Sequence, residues 1–169
     1  ERSMRFEDTG LPWYAPSPNL RNPTQAYLYP GIGLLEATDL SVGRGTDEPF
    51  ERIGAPWVDG VRLALALDAA RIPGLRFTPI EFTPDTSKHE GLLCGGVQLR
   101  LDDVDALRPV AAGLAIARVV ERLFPEPFDE AKVDERLMAR SAFAAWAGGK
   151  SLEQPSPAFL EARARALLY

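Results

Sequence analysis

The chain has few of the thiol and imidazole side chains that bind zinc or, in the case of cysteine, form disulfides. Its 169 residues include one cysteine, Cys94, and one histidine, His89. A single cysteine excludes a disulfide within the chain, and Cys94 and His89 do not lie at a spacing typical of zinc ligands. No residue pattern indicates an organic cofactor. We therefore expect neither a metal nor a cofactor.

The sequence also lacks long apolar runs and an excess of positive charge. The net charge is −5, whereas binding to a nucleic-acid backbone requires a basic surface. No apolar run approaches the ~20 residues of a membrane-spanning helix, and the first ten residues lack the apolar core of a signal peptide. We expect no nucleic-acid partner and no membrane span. A mature exported protein would show the same charge and the same lack of apolar runs.

Proline is most frequent at the beginning of the chain. Five prolines lie within the first thirty residues: Pro12, Pro16, Pro18, Pro23 and Pro30. Because proline disfavours helix interiors, residues 1–30 are predicted to form an extended arm, with a possible short strand over Ala26–Tyr29. Its aromatic residues are expected to lie against the rest of the protein. They are Trp13, Tyr14, Tyr27 and Tyr29.

The length of 169 residues and the 46% hydrophobic content of the chain suffice for a single core, and residues 31–169 are predicted to form one α+β domain. Strands are predicted over Arg76–Thr83 and Gly95–Leu101, and apolar and polar residues alternate cleanly in the second of them. Pro79 places the first of them at a sheet edge or a bulge. We expect a small mixed sheet of short strands packed by helices, with helices dominating the second half.

Helical spacing of apolar residues begins at Asp59 and stops at Pro73-Gly74. Its predicted buried face comprises Val61, Leu65, Leu67 and Ile72. The longest predicted helix covers Asp105–Phe124. Three more are predicted over Ala131–Ala139, Ser141–Ala147 and Pro157–Leu168.

The segment between Tyr29 and Phe50 combines a carboxylate, a guanidinium and glycines. Gly43 and Gly45 flank Arg44, so the backbone can turn sharply and approach a ligand closely. Arg44 offers a rigid fork of donors to carboxylate or sugar oxygens. The same residues also fit a surface turn whose Arg pairs with an acidic neighbour, and both interpretations remain open.

Glu36 follows Leu34-Leu35 at the end of a predicted strand, which would partly bury its carboxylate. Such a carboxylate is a candidate for one of the two that a glycosidase commonly uses. The alternative is a salt bridge from Glu36 to Arg44 that holds the loop together. His89, beside Lys88 in a polar turn, is a candidate proton donor or substrate contact, or a turn histidine bonded to local backbone.

Ten short blocks occur in an order that resembles one bacterial family. They are PSPN (16–19), YPG (29–31), LLE-x-T (34–38), S-x-GRGT (41–46), PFE (49–51), GAPW (54–57), PG-x-x-F (73–77), SKH (87–89), C-x-GVQ (94–98) and LLY (167–169). Together they span essentially the whole chain. The chain is similar to the NamZ-type exo-β-N-acetylmuramidases, which release N-acetylmuramic acid from the non-reducing end of peptidoglycan fragments.

The resemblance implies a two-domain glycosidase of which this chain is the C-terminal domain. A Rossmann-like N-terminal domain is the implied partner, a muropeptide or muramic acid-containing sugar is the implied substrate, and the setting is periplasmic or extracellular. The family's proposed catalytic acid lies in the other domain, so the isolated chain is expected to be inactive. The alternative is a non-catalytic module that binds the cell wall or another protein.

The resemblance also implies which residues face the cleft between the two domains. They include Glu36, the candidate catalytic carboxylate, which can alternatively accept hydrogen bonds from sugar hydroxyls or hold Arg44 in place. Arg44 can clamp the lactyl carboxylate of N-acetylmuramic acid through two hydrogen bonds. The other implied substrate-binding residues are Thr38, Ser41, Gly45 and Thr46, with Lys88 and His89 as further candidates.

Overall fold

Three antiparallel strands and five α-helices form the part of the chain that the structure, a computed structural model, describes: residues 4–129, 131–137, 148 and 156–167. In chain order the elements are α1 (Pro23–Ile32), β1 (Arg52–Ala55), α2 (Gly60–Ala70), β2 (Leu75–Phe82), β3 (Cys94–Leu101), α3 (Pro109–Leu123), α4 (Ala131–Leu137) and α5 (Pro157–Ala166). A 3₁₀ helix, Gly33–Ala37, follows α1 directly. The α+β class and the helix-rich second half are confirmed.

The sheet has the strand order β1-β3-β2, with β3 in the centre. Arg52 lies opposite Gln98 and Leu75 opposite Leu101, and both pairings are antiparallel, so the described sheet is purely antiparallel rather than mixed. The two predicted strands are confirmed. Pro79 lies on β2, an edge strand, where its missing N–H can face away from the ladder.

Residues 23–32 form a helix, so the strand predicted over Ala26–Tyr29 was wrong. The side chain of Asn22 caps this helix by accepting a hydrogen bond from the Gln25 N–H at 2.9 Å, and Pro23 occupies the first turn, where proline is tolerated. Burial of Leu28 and Ile32 then fixes the helix on the core. The helix continues past residue 30. The division of the chain into an arm of residues 1–30 and a domain of residues 31–169 stays a prediction.

The aromatic residues of the first thirty differ in their environments. The Trp13 indole donates to the Leu20 carbonyl at 3.0 Å and contacts Phe6 edge-on. Tyr27 donates to the Glu7 carboxylate at 2.8 Å. Tyr14, by contrast, is 83% exposed, so the expectation that the arm's aromatics all lie against the protein was wrong for this residue.

Helix α2 packs on β2 and β3 through Leu63, Ala64 and Leu67. Val61 and Leu65 point to solvent, so half of the predicted buried face was wrong. Large apolar residues occupy alternate positions from 61 to 67 and hence cover several faces of the helix. Packing against the sheet, rather than hydrophobicity alone, selects the face that is buried.

Helix α3 begins at Pro109, four residues later than predicted, because Pro109 occupies its first turn. It crosses α1 at a glycine contact, where a Cβ atom on Gly113 would lie 2.2 Å from the Gly31 carbonyl oxygen. Helices α4 and α5 lie within their predicted spans, while the helix predicted over Ser141–Ala147 lies outside the described residues. No helix in the described part of the chain is both long and apolar enough to cross a membrane.

Candidate functional site

The candidate residues lie on the segment that connects α1 to β1. The 3₁₀ helix Gly33–Ala37 buries Leu34 and Leu35 and leaves Glu36 partly exposed. Glu36 therefore lies in a helical turn, and its predicted position at the end of a strand was wrong. The segment then crosses to β1, where Ser41 forms an antiparallel bridge with Gly54. Each end of the segment is thus attached to a fixed element.

Glu36 and Arg44 form an ion pair at the protein surface. Arg44 Nη1 donates to Glu36 Oε1 at 3.0 Å, and the side chains of Glu36 and Arg44 are 14% and 46% exposed. The pair is therefore accessible and is not sealed in the core. This contact is the salt bridge considered from the sequence, and it leaves Arg44 open to solvent on its other side.

The backbone around Arg44 is shaped by glycine and threonine. Gly43 and Gly45 have φ angles of 78° and 82°, which lie in the left-handed region that glycine favours. The Thr46 hydroxyl donates to the Gly43 carbonyl at 2.7 Å, which closes the turn. The loop can therefore present the Arg44 side chain from a fixed backbone.

Thr38 and Ser41 are buried, with their hydroxyl groups bonded inside the loop. The Thr38 hydroxyl donates to the Leu35 carbonyl at 2.7 Å and accepts from the Leu40 N–H. The Ser41 hydroxyl oxygen accepts from the Gly43 N–H at 3.3 Å. The structure brings both residues to the candidate site, where they organise its main chain.

Lys88 and His89 contact the same segment from a distant part of the sequence. Lys88 Nζ donates to the carbonyl oxygens of Glu36, at 3.1 Å, and of Thr38. His89 Nε2 lies 2.7 Å from the Asp39 carbonyl oxygen. Burial lowers the pKa of the Lys88 ammonium below its usual value, an effect that the carboxylates of Asp39 and Glu36 oppose.

Two side chains next to the site were not among the predicted site residues. The indole N–H of Trp57 donates to the Asp39 carboxylate at 3.2 Å, and His89 Nε2 lies 3.9 Å from the same Oδ2. Trp57 ends the GAPW block, which was the sequence signal for it. Asp39 lies within the same segment, but nothing in the sequence showed which way it points.

Glu51, a further carboxylate near the loop, has a structural environment. Its Oε1 accepts from the side-chain amides of Asn22 and Gln25, both at 2.9 Å, and Gln25 is buried. This contact ties the end of the loop to the start of α1. Among the described residues, no group of three or more His, Cys, Asp or Glu side chains is placed to hold a metal ion.

These observations define an α+β domain that carries a surface ion pair on a glycine-flanked loop. A family model described as the C-terminal part of the exo-β-N-acetylmuramidase NamZ matches residues 27–169. The chain belongs to this family, which confirms the resemblance inferred from the short sequence blocks.

Individual relatives agree with the family assignment. The chain is 43% identical over 129 residues to the peptidoglycan β-N-acetylmuramidase NamZ of Bacillus subtilis, and the match covers 76% of this chain and 31% of that protein. It thus spans about a third of that relative.

Two solved structures of DUF1343 family proteins from Bacteroides fragilis have similar folds. The first has a TM-score of 0.73 at 24% identity and covers 91% of this chain and 48% of its own. The second has a TM-score of 0.56 at 26% identity, with coverage of 81% and 36%. The matched part of this chain therefore corresponds to less than half of either protein.

Proposed function

We propose that this domain supplies the substrate-binding side of a cleft between two domains in an exo-acting glycoside hydrolase. The enzyme releases N-acetylmuramic acid from peptidoglycan fragments. Family membership and the name of the Bacillus subtilis relative support this reaction class. The greater length of the relatives supports a partner domain, for which we propose the Rossmann-like fold. The proposed setting is the periplasm or the cell exterior.

The observation that carries the proposal is the half-exposed guanidinium of Arg44. Its hydrogen bond to Glu36 uses one of five N–H donors, and no other partner of Arg44 lies within the described part of the chain. The remaining donors can bind a carboxylate through two parallel hydrogen bonds. N-acetylmuramic acid carries a lactyl carboxylate that N-acetylglucosamine lacks, so Arg44 is the proposed determinant of specificity.

Glu36 completes the proposed sugar contact. Arg44 bonds to Oε1, and the second carboxylate oxygen can accept a hydrogen bond from a sugar hydroxyl. The ion pair also fixes the orientation of the Arg44 fork, because each partner restrains the other. We assign to Thr38, Ser41, Gly45 and Thr46 the shaping of the loop around the sugar, since their polar groups bond within it or to the adjacent turn.

A titration of the isolated chain, followed by NMR, tests the binding role. N-acetylmuramic acid is expected to shift the signals of residues 36–46 in a saturable way, and N-acetylglucosamine to shift them much less. Equal responses to the two sugars would contradict the role given to Arg44.

An activity assay tests where the chemistry lies. The isolated chain is expected to release no chromophore from a chromogenic N-acetylmuramide, whereas the full-length protein releases it. Robust turnover by the chain alone would place the catalytic groups in this domain. Tight binding to intact cell walls that survives Arg44→Ala would instead favour a non-catalytic interaction module.

A further inference from the structure

The turn between β2 and β3 has a backbone that is costly to form. The Gly91 N–H donates to the Pro84 carbonyl at 2.9 Å and closes the turn. Within it, Ser87 and His89 have φ angles of 74° and 61°, in the left-handed region that residues with a Cβ rarely adopt. Such strain persists only where surrounding contacts compensate for it. The contacts that this turn makes with the rest of the protein therefore indicate which segment it stabilises.

Residues 88 and 89 bind three carbonyl groups on one short piece of main chain. Lys88 Nζ donates to the oxygens of Glu36 and Thr38, and His89 Nε2 to the oxygen of Asp39. A carbonyl oxygen can only accept, so Nε2 of His89 carries the hydrogen. These carbonyls belong to the segment from which the Glu36 side chain extends, and the two donors hold that segment in place.

The same turn also contacts the other member of the ion pair. The Asp85 N–H donates to the Gly45 carbonyl at 2.7 Å, and Gly45 packs directly against the main chain of Thr86. Gly45 adjoins Arg44 in sequence. One turn thus fixes the backbone on both sides of the ion pair, at residue 36 and at residue 45.

These contacts occupy most of the donors of Lys88 and one of the two ring nitrogens of His89. Two of the three N–H donors of Lys88 go to carbonyl oxygens, and the His89 side chain is only 12% exposed. Side chains bound in this way have little left to offer a sugar. A role in holding the loop therefore fits Lys88 and His89 better than the direct contact with substrate expected from the sequence.

We propose that Lys88 and His89 are positioning residues that set the geometry of the Glu36–Arg44 pair for sugar binding. They act through the main chain of residues 36–39 and not by touching the sugar. This inference rests on the proposed function for its consequence in activity. Its structural half, control of the ion pair by the turn, applies to the sugar-free chain and can be tested separately.

The structural half is tested in the sugar-free chain by ¹⁵N NMR of the Arg44 guanidinium, whose rotation is hindered while it is paired. The variants are Lys88→Met, which keeps the apolar stem, His89→Leu, and His89→Gln, whose amide can donate from the same place. Lys88→Met and His89→Leu are expected to lose the hindered rotation and His89→Gln to retain it. An unchanged Arg44 signal in both Lys88→Met and His89→Leu would overturn the proposal.

The functional half is tested by kcat/KM of the full-length enzyme on a chromogenic N-acetylmuramide. Lys88→Met is expected to lower it by about tenfold or more in the native background but by only about twofold in the Glu36→Gln background, since the pair is already broken there. Equal losses in both backgrounds would show that Lys88 acts independently of the pair and would overturn the proposal.

Two controls keep the results separable. Circular dichroism shows whether each variant is folded, and if Lys88→Met is not, the comparison of His89→Leu with His89→Gln decides the question. An unmutated full-length protein that does not cleave muramides would refute the proposed function. The Arg44 measurement would still decide whether the turn positions the pair.

Discussion

A Cβ atom on Gly45 would lie 2.0 Å from the carbonyl oxygen of Thr86, far inside van der Waals contact. This contact joins the loop that carries Arg44 to the turn that carries Lys88 and His89. The two segments are distant in sequence, and they can approach each other this closely only because residue 45 has no side chain. Position 45 is therefore where a small substitution is expected to have a large effect.

Gly45→Ala is expected to destabilise the domain by about 3 kcal/mol, because it combines a left-handed φ of 82° with a backbone clash. Gly91→Ala is the matched control, since Gly91 has a φ of 71° but no atom within 4 Å of its added Cβ. That variant should lose only about 1 kcal/mol. Urea denaturation measures both, and equal losses would contradict the close packing of Gly45 on Thr86.

Arg44→Ala and Glu36→Gln are expected to separate activity from stability. Under the proposed function, each should raise the activation free energy that corresponds to kcat/KM of the full-length protein on muramides by about 2–4 kcal/mol, because the proposed charged hydrogen bond to the sugar or its support is lost. Stability should change by less than about 1 kcal/mol, since Arg44 is half exposed and surface ion pairs contribute little.

Arg76→Ala is the control for these two variants. Arg76 also forms an ion pair, with Asp102, but lies on β2 with its side chain 77% exposed and away from the loop. Its removal should leave kcat/KM unchanged. An equal loss of activity in Arg76→Ala would mean that the assay reports net charge and not a specific contact.

The sequence sufficed for elements whose signal is local. The alternation of Val97 and Leu99 with Gln98 and Arg100 predicted β3, and Pro79 correctly predicted an edge strand. The apolar stripe of α3 predicted a helix, although Pro109 delays its start. In each case the decisive residues are neighbours along the chain.

The predictions that were wrong concern segments whose structure depends on burial in the core as well as on local sequence. The segment Ala26–Tyr29 lies in a helix because Asn22 caps it and Leu28 packs into the core, and both effects outweigh the nearby prolines. On α2 the apolar residues offered more than one buried face, and the sheet selected Leu63 over Val61. Propensity is a weak guide where burial differs this much.

The site shows the same division. Glu36 and Arg44 are eight positions apart, and their pairing was one of the two interpretations that the sequence left open. The structure shows this ion pair. One of the interpretations of His89 bonded its side chain to local backbone; its partner is indeed backbone, but that of Asp39, fifty residues away. A contact over that distance has no local signal, so the contacts of Lys88 and His89 could not be predicted from the turn alone.

Cys94 is expected to resist thiol reagents in the folded domain. It is fully buried at the start of β3, and burial raises the pKa of its thiol, which lowers the fraction of reactive thiolate. Ellman's reagent at pH 8 should label it only as fast as the domain unfolds. Thr78→Cys, at an exposed position of β2, is the control and should react at once. Rapid labelling of Cys94 without unfolding would contradict its burial.

Because the pKa of Lys88 is lowered in the folded protein, the sign of the change in folding stability with pH can be predicted for alkaline solution. Burial disfavours the charged ammonium in the folded state, so the folded protein loses this proton at a lower pH than the unfolded chain does. Between the lowered pKa and the usual value of 10.5, the unfolded state binds more protons, and stability rises with pH. The burial penalty is thus fully present at neutral pH and is relieved as the pH approaches 10.5.

Comparison with Lys88→Met isolates this effect, because all other titrating groups are shared. The unmutated chain should gain stability relative to Lys88→Met as the pH rises from 8 toward 10.5, measured by urea denaturation at each pH. A relative loss over that range would mean that the two carbonyl contacts and the carboxylates of Glu36 and Asp39 outweigh desolvation. The ammonium would then be held more tightly in the folded state than in water, and Lys88 would be a stabilising charge at every physiological pH.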